Sequence, residues 1–326
     1  MKARAVLALA MLVAASAAAQ TQSTGPGHGY PARPLRLIVP FPAGGGSDAI
    51  ARIISPKLTE RLGQQIVVDN RAGAGGSVGT EAAVKATPDG HNMVLASTSE
   101  IAINPALYKL TYDTLKDLAP VAMIASTAMV VVVAPSAGLD SVKDLVALAK
   151  QKPGAINVAS AGNGTITHLS GELFRTLAGL NWTHVPYKGA PAALTDVAGG
   201  RVQVMFSSLP AAMPLIKSTR VKAIAVSTRN RQPSLPDVPT VIESGVPAYD
   251  VEYWYGVFVP AATPKGIVKR LADDIDYALK QKDTINNLAN QGALPGKSKE
   301  AQFARFVQEE HARWTKLVKS SGAKAD

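Results

Sequence analysis

Short runs of apolar residues alternate with amphipathic segments along most of the chain. The apolar runs have the length of buried strands, and many of the segments between them place apolar residues at helical spacing. Ser141, for example, is expected to cap a helix over residues 142–151, which Pro153 and Gly154 end. This alternation predicts an α/β protein with mostly parallel sheets covered by helices on both faces. The predicted strands are 35–39, 65–69, 92–96, 121–124, 129–134, 156–159, 183–186, 202–206, 221–226 and 251–259.

The C-terminal part of the chain has a different pattern, in which apolar residues recur at helical spacing with no strand between them. Pro264 is expected to open a helix that continues to Leu279, and Gly292 to follow the end of a second helix. A third helix carries Trp314, which we expect to be a core residue.

A glycine-rich segment, Gly44–Gly46, follows the first predicted strand. Pro40 and Pro42 end that strand, and the glycines allow the backbone to approach another group closely. Ser47 or Asp48 is expected to be the N-cap of the next helix. A helix that begins after such a loop presents free backbone N–H groups and the positive end of its dipole, so the segment predicts a site for a small anion.

A second segment of the same kind follows the predicted strand 156–159. It runs from Ser160 to His168, carries two glycines, and also opens a helix. Hydroxyl residues follow other predicted strands as well, and ligands of open α/β sheets collect at the carboxyl ends of strands. We therefore expect the two glycine loops to face each other and to hold a small anionic solute between them.

The N-terminus has the pattern of an export signal. Lys2 and Arg4 precede an apolar run over residues 5–15 and a small-residue stretch that ends at Ala19, which predicts a signal peptide over residues 1–19. No apolar run reaches the roughly 18 residues that a membrane span needs. The chain has no cysteine, so we expect two domains with ordinary hydrophobic cores in a bacterial periplasm rather than a disulfide-rich extracellular protein.

The formal net charge of +10 does not by itself indicate a nucleic-acid partner. Lys and Arg are scattered, aromatic residues make up only 5% of the chain, and no basic run with interleaved aromatic residues occurs. Electrostatic attraction of anionic ligands towards the protein is the simpler explanation for this positive charge.

The sequence contains the patterns of two other kinds of site and lacks the pattern of a third. Residues 44–49 fit the dinucleotide pattern G-x-G-x-x-A, but Pro40 and Pro42 prevent the tight turn that this site requires. Ser77 stands in a G-x-S-x-G pattern, so an exported serine hydrolase remains an alternative, although the loop before Ser77 is long for a nucleophile elbow. No metal-binding spacing of histidines or acidic residues occurs, and no cofactor is expected.

Several of these motifs, in order along the chain, resemble the Bug family of periplasmic solute-binding proteins from tripartite tricarboxylate transporters. The matching segments are Val39-Pro-Phe-Pro-Ala-Gly-Gly-Gly-Ser-Asp48, Asn70-Arg-Ala-Gly-Ala-Gly-Gly76, Pro88-Asp-Gly90, Gly162-Asn-Gly-Thr-Ile-Thr-His-Leu169, Val185-Pro-Tyr-Lys-Gly189 and Leu235-Pro-Asp-Val-Pro-Thr240.

This resemblance implies a type II periplasmic binding protein fold, with two α/β domains joined by two crossing strands. The expected domains are residues 28–128 plus 254–326 and residues 129–253. The resemblance also implies a monomeric receptor that binds a small carboxylate, closes over it and delivers it to membrane permease subunits. A binding protein that serves a sensor instead is indistinguishable by sequence. The implied ligand-binding residues are Phe41, Ala43, Gly44, Gly45, Ser47, Asp48, Ser97, Thr98, Gly164, Thr165, His168, Tyr187 and Ser207.

Two of these residues have alternative roles. Asp48 and His168 either contact the ligand or only cap helices. Gly45 is the position at which we expect a side chain to be tolerated least, and Gly45→Val is expected to abolish ligand binding.

Overall fold

The computed structural model describes residues 29–297 and 300–321, so the predicted signal peptide lies outside the described part of the chain. Strands and helices alternate through most of this part, as the sequence predicts. The strands are β1 (Leu35–Val39), β2 (Ile66–Asn70), β3 (Asn92–Ser97), β4 (Leu118–Val133), β5 (Asn157–Ser160), β6 (Thr183–Pro186), β7 (Val204–Ser208), β8 (Lys222–Val226), β9 (Glu252–Pro260) and β10 (Ala293–Pro295).

The helices occupy the segments between these strands and the C-terminal region. They are α1 (Gly46–Leu62), α2 (Ser77–Val84), α3 (Asn104–Leu107), α4 (Val142–Gln151), α5 (Ile166–Ala178), α6 (Ala190–Ala198), α7 (Leu209–Lys217), α8 (Lys265–Leu279), α9 (Lys282–Asn290) and α10 (Glu300–Ser321). The predicted cap of α4 is confirmed, because the Ser141 side chain accepts a hydrogen bond from the Asp144 N–H.

The strands pair in the order β2-β1-β3-β9-β4-β7-β5-β6, and β8 and β10 also pair with β4. β1 is parallel to β2 and β3, and β5 is parallel to β6 and β7. All pairs that involve β4 or β9 are antiparallel. The expectation of mostly parallel sheets is therefore wrong: two parallel groups are joined through two antiparallel strands that carry the chain between them.

β4 is one strand of 16 residues, where the sequence predicted two shorter ones. From Leu118 to Ala128 it pairs with β9, and from Met129 to Val133 it pairs with β7 and β8. The strand is buried along nearly its whole length, so its polar Ser126 and Thr127 do not mark a turn. β4 thus connects the two parallel groups without a break in the backbone.

Aromatic side chains fill the core on both sides of the sheet. Phe174 of α5 packs against Phe206 and Tyr249, and the ring centroids of the three side chains are 5.4–6.3 Å apart. Trp314 in α10 is 2% exposed, and its ring nitrogen donates to Glu310. The prediction that Trp314 is a core residue is confirmed.

A buried carboxylate joins α1 to α8. Asp274 accepts hydrogen bonds from Arg61 Nε at 2.8 Å and from Arg270 Nε at 2.6 Å, and the two arginines are each about half exposed. Both carboxylate oxygens are used, so this one side chain holds two helices together.

Replacing Asp274 with alanine should lower the free energy of unfolding by about 2–4 kcal/mol, because two charge-assisted hydrogen bonds are lost at a buried position. Urea unfolding measures this change. The neighbouring Asp273 forms an exposed pair with Lys269, and Asp273→Ala should leave stability nearly unchanged. Equal losses in the two variants would contradict the special role of Asp274.

Candidate ligand-binding site

A cavity of about 30 Å³ lies where the two parallel groups of strands meet, which is room for roughly one or two water molecules. Its walls come from loops at strand ends and from the first residues of helices. They are Phe41, Pro42, Gly45, Gly46, Ser47, Ser99, Ala161, Thr165, Ile166, Thr167, Ala190, Pro191, Ser208, Tyr253 and Tyr255.

Four helices begin at this cavity. Gly46 and Ser47 start α1, Ile166 and Thr167 start α5, Ala190 and Pro191 start α6, and Ser208 is the N-cap of α7. Among the described residues, no Lys, Arg, His, Asp or Glu side chain lines the cavity. The positive ends of four helix dipoles therefore determine the electrostatic character of the site.

The first wall is built by the loop between β1 and α1. Gly45 is the N-cap of α1 and accepts the Ala49 N–H at 3.0 Å. This is the first hydrogen bond of the helix. The N–H groups of the helical residues before Ala49 therefore have no carbonyl partner within the helix. The prediction that Ser47 or Asp48 is the N-cap is wrong by two or three positions, because the helix starts at Gly46.

Asp48, which does not line the cavity, holds the same loop. Its Oδ2 accepts hydrogen bonds from the Gly44 N–H and from Arg52 Nε, both at 2.9 Å. Burial acts to raise the pKa of Asp48, but the hydrogen bonds from Arg52 and Gly44 outweigh it and lower the pKa below its usual value. The ionised carboxylate is thus compensated by Arg52 and fixes the glycine loop.

The second wall is the loop between β5 and α5, for which Thr165 is the N-cap. Thr165 Oγ1 donates to the Gly162 carbonyl at 2.7 Å, and the Ala161 N–H donates to Thr167 Oγ1 at 2.8 Å. These bonds fix the start of α5 against the cavity.

His168 lies behind this second loop rather than on the cavity. The Gly164 N–H donates to His168 Nδ1 at 3.2 Å, and the His168 ring stacks on His184 with centroids 3.9 Å apart. His184 Nε2 is 2.7 Å from Ser160 Oγ. His168 thus supports the loop through Gly164, and its contact with a ligand stays a prediction.

The floor of the site comes from β9 through Tyr253 and Tyr255. The Tyr253 hydroxyl donates to Ser97 Oγ at 2.9 Å. Ser97 Oγ in turn donates to Glu100 Oε2, which also accepts the Ser97 N–H at 3.0 Å. Glu100 is fully buried, and burial raises its pKa to about 7. A hydrogen-bonded chain therefore runs from the floor of the cavity to a buried carboxyl group.

Two contacts join the loops on opposite sides of the cavity. The Ile166 N–H at the start of α5 donates to Ser99 Oγ at 3.0 Å. The Tyr108 hydroxyl donates to the Asn163 carbonyl at 2.7 Å. Each contact links a residue before β4 to a residue after it, so the two parts of the molecule meet directly at the site.

The structure brings only some of the predicted site residues to the cavity: Phe41, Gly45, Ser47 and Thr165 line it. Ala43 and Gly44 are exposed next to it. Ser97, Thr98 and Ser207 are buried, and Thr98 Oγ1 accepts the Trp254 N–H at 3.4 Å. The remaining residues, Asp48, Gly164, His168 and Tyr187, lie off its lining; the Tyr187 hydroxyl donates to Asp196 at 2.8 Å.

Several residues that line the cavity were not predicted. Ser208 lies next to the predicted Ser207, and successive strand residues point to opposite faces. Tyr253 and Tyr255 are two positions apart in β9 and therefore share a face, a signal that the sequence contained. The others are Pro42, Gly46, Ser99, Ala161, Ile166, Thr167, Ala190 and Pro191.

Ser77 does not have the partners of a catalytic serine. It is the first residue of α2, and its Oγ accepts a hydrogen bond from Asn104 Nδ2 at 3.1 Å. The Tyr112 hydroxyl lies 3.5 Å from the Ser77 carbonyl oxygen. Within residues 29–297 and 300–321, no group of three or more His, Asp or Glu side chains could hold a metal ion. None of the described helices is long and apolar enough to cross a membrane.

Comparison with known proteins gives consistent matches over most of the chain. Residues 50–323 match the family model described as tripartite tricarboxylate transporter family receptor. The protein BugT of Bordetella pertussis is 38% identical over 297 residues, which cover 90% of this chain and 91% of BugT.

Two solved structures from Rhodopseudomonas palustris are similar in fold and in sequence. Rpa4515 with adipate has a TM-score of 0.88 and 36% identity, and the match covers 90% of this chain and 99% of that one. MatC with bound malate has a TM-score of 0.84 and 32% identity, and covers 89% and 100%.

Proposed function

Since this chain belongs to the tripartite tricarboxylate transporter receptor family, we propose that it binds a small carboxylate between two domains and delivers it to a membrane permease. Its fold is the two-domain type II periplasmic binding protein fold. The family consists of solute-binding proteins rather than enzymes, so the alternative of a serine hydrolase at Ser77 is wrong.

The convergence of four helix N-termini on one cavity carries this proposal. Each helix end favours a nearby anion by about 0.3–1 kcal/mol, and by up to about 2 kcal/mol where it is partly buried. Within the described part of the chain, the cavity lining has no acidic side chain that would repel a carboxylate. Backbone N–H groups at the starts of α1 and α5 supply directed donors for its oxygens.

The acids bound by similar proteins suggest the ligand class. Rpa4515 is described with adipate and MatC with malate, and both ligands are dicarboxylates. Both proteins cover nearly the whole of this chain in structure. We take these two acids as the first probes for this protein.

Closure of the two domains is part of the proposal. The bonds from Ile166 to Ser99 and from Tyr108 to Asn163 favour an arrangement in which the loops touch. The cavity of about 30 Å³ is small for a dicarboxylate, so entry requires the domains to move apart. We propose residues 28–128 plus 254–326 and residues 129–253 as the moving units, with β4 and β9 as the hinge strands.

The proposed location is the periplasm. The signal pattern over residues 1–19 supports export, and the receptors of this family act outside the inner membrane together with permease subunits. We therefore propose that the closed, loaded protein presents its solute to such a permease.

The proposed function predicts a rise in melting temperature with the right carboxylate. A ligand at 100 times its Kd stabilises the native state by about 2.7 kcal/mol, so the shift should be several degrees. The assay compares adipate, malate, succinate and aromatic acids with uncharged analogues such as adipamide. Only the carboxylates should shift the transition. A panel in which no carboxylate raises the melting temperature, or in which adipamide does so equally, would contradict the proposal.

A further inference from the structure

Among the residues that line the cavity, Tyr255 has a buried hydroxyl group without a hydrogen-bond partner. Tyr255 is fully buried in β9 and lines the cavity. In the part of the chain that the structure describes, its hydroxyl oxygen has no hydrogen-bond partner. Buried polar groups are nearly always hydrogen-bonded, so an unpartnered hydroxyl at the wall of a cavity points to a partner that enters the cavity.

The surroundings of this hydroxyl show what kind of partner fits. A Cβ atom built on Gly46 would lie 2.7 Å from the Tyr255 hydroxyl oxygen and 2.5 Å from Ser208 Oγ. Both hydroxyls therefore lie against the first residue of α1, and all three residues line the cavity. Because the neighbouring helix ends present N–H donors, the partner that suits this part of the cavity is a hydrogen-bond acceptor with negative charge.

Tyr255 is a donor rather than an anion in this site. Burial, with a smaller contribution from the neighbouring Tyr253, raises the pKa of Tyr255 well above its usual value, and the opposing effect of the nearby Ser208 hydroxyl does not reverse this. The ring is fixed by packing against Tyr253, with centroids 4.7 Å apart. Its position in β9 places it between β3 and β4, so the hydroxyl is held by rigid elements.

We propose that the Tyr255 hydroxyl donates a hydrogen bond to a carboxylate oxygen of the solute, together with Ser208 Oγ and the first amides of α1. This inference rests on the proposed function and deepens it, because it assigns a side chain that selects for the carboxylate. A solute with an uncharged, donor-only group at this position would leave the Tyr255 hydroxyl unpaired and would be rejected.

The test replaces Tyr255 with phenylalanine and uses Tyr249→Phe as the matched control. Tyr249 is also fully buried, but its hydroxyl donates to the Ser170 carbonyl at 3.2 Å and it does not line the cavity. Melting temperatures are measured without ligand, and affinities for adipate and for malate are measured by calorimetry.

We expect opposite patterns in the two variants. Tyr255→Phe should keep or raise the melting temperature of the free protein, because it removes a hydroxyl that has no internal partner. The same substitution should weaken ligand binding about tenfold to hundredfold. Tyr249→Phe should lower the melting temperature by a few degrees and leave affinity within about twofold.

The outcomes separate this inference from the proposed function. If wild-type protein binds adipate or malate and Tyr255→Phe binds equally well, this inference alone is wrong. If Tyr255→Phe destabilises the free protein as much as Tyr249→Phe, the hydroxyl has an internal partner and the inference is again wrong. Failure of the wild-type protein to bind any carboxylate of the panel counts against the proposed function and, with it, against this role of Tyr255.

Discussion

Replacing Gly46 with alanine should abolish carboxylate binding while the protein remains folded. A Cβ at this position would lie 2.5 Å from Ser208 Oγ and 2.7 Å from the Tyr255 hydroxyl, closer than such atoms approach in proteins. The added methyl group would displace the two hydroxyls that the proposed carboxylate contacts, and it would also keep α1 and the start of α7 apart. We expect a loss of affinity of at least about a hundredfold, because overpacking by about 1–3 kcal/mol adds to the lost hydrogen bonds.

Gly266 provides the matched control for this substitution. It lies near the start of α8, as Gly46 lies at the start of α1, and a Cβ there would meet nothing within 4 Å. Gly266→Ala should leave affinity unchanged and should keep or slightly raise stability. Calorimetric titration with adipate or malate measures binding, and circular dichroism confirms the fold. Wild-type affinity in a folded Gly46→Ala protein would contradict the placement of the site.

The free energy of unfolding should fall as the pH rises from 5 to 8, because the buried carboxyl group of Glu100 loses its proton in this range. Its folded pKa of about 7 lies above the ordinary value of 4.5 because burial disfavours the charged form. The native protein therefore holds a proton that the unfolded chain releases, and this stabilisation is complete below pH 4.5 and lost as the pH rises through 7. A shift of this size corresponds to roughly 3 kcal/mol.

The comparison with Glu100→Gln isolates this contribution. Glutamine retains a carbonyl oxygen that can accept from Ser97 but has no charge to bury. Urea unfolding at pH 5, 6, 7 and 8 should show a flatter profile for Glu100→Gln than for the wild type. Glu60 is exposed and pairs with Lys57, so Glu60→Gln should retain the wild-type profile. Parallel profiles for the wild type and Glu100→Gln would show that Glu100 does not titrate in this range.

The sequence predicts most of the fold because burial follows the strand and helix periods closely. It is less informative where a strand changes partners. The residues between 124 and 129 read as a break because alanine, serine and threonine are weakly apolar, yet they lie inside β4 and pair with β9. The direction of pairing is also not encoded locally: the long apolar segments of β4 and β9 look like parallel strands but are antiparallel.

The site was predicted at the level of loops rather than of side chains. The glycine pattern located both loops, and each begins a helix at the cavity. Which residues face the cavity depends on where the helix starts and on the pleat of a strand, so Gly46 and Ser208 were missed by one position each. The predicted effect of Gly45→Val stays a prediction, although Gly45 has an ordinary φ of −82° and its backbone does not require glycine.

The absence of charged side chains from the lining has a consequence for how this receptor can diversify. If main-chain N–H groups bind the anionic end of the solute, substitutions of the lining side chains leave this binding unaffected. Every residue except proline supplies the same N–H group. Mutations at Phe41 or Pro191 can then reshape the volume offered to the rest of the solute without weakening its anchoring. A single scaffold of this kind can give rise to receptors for many different acids, with each new preference reached in small steps.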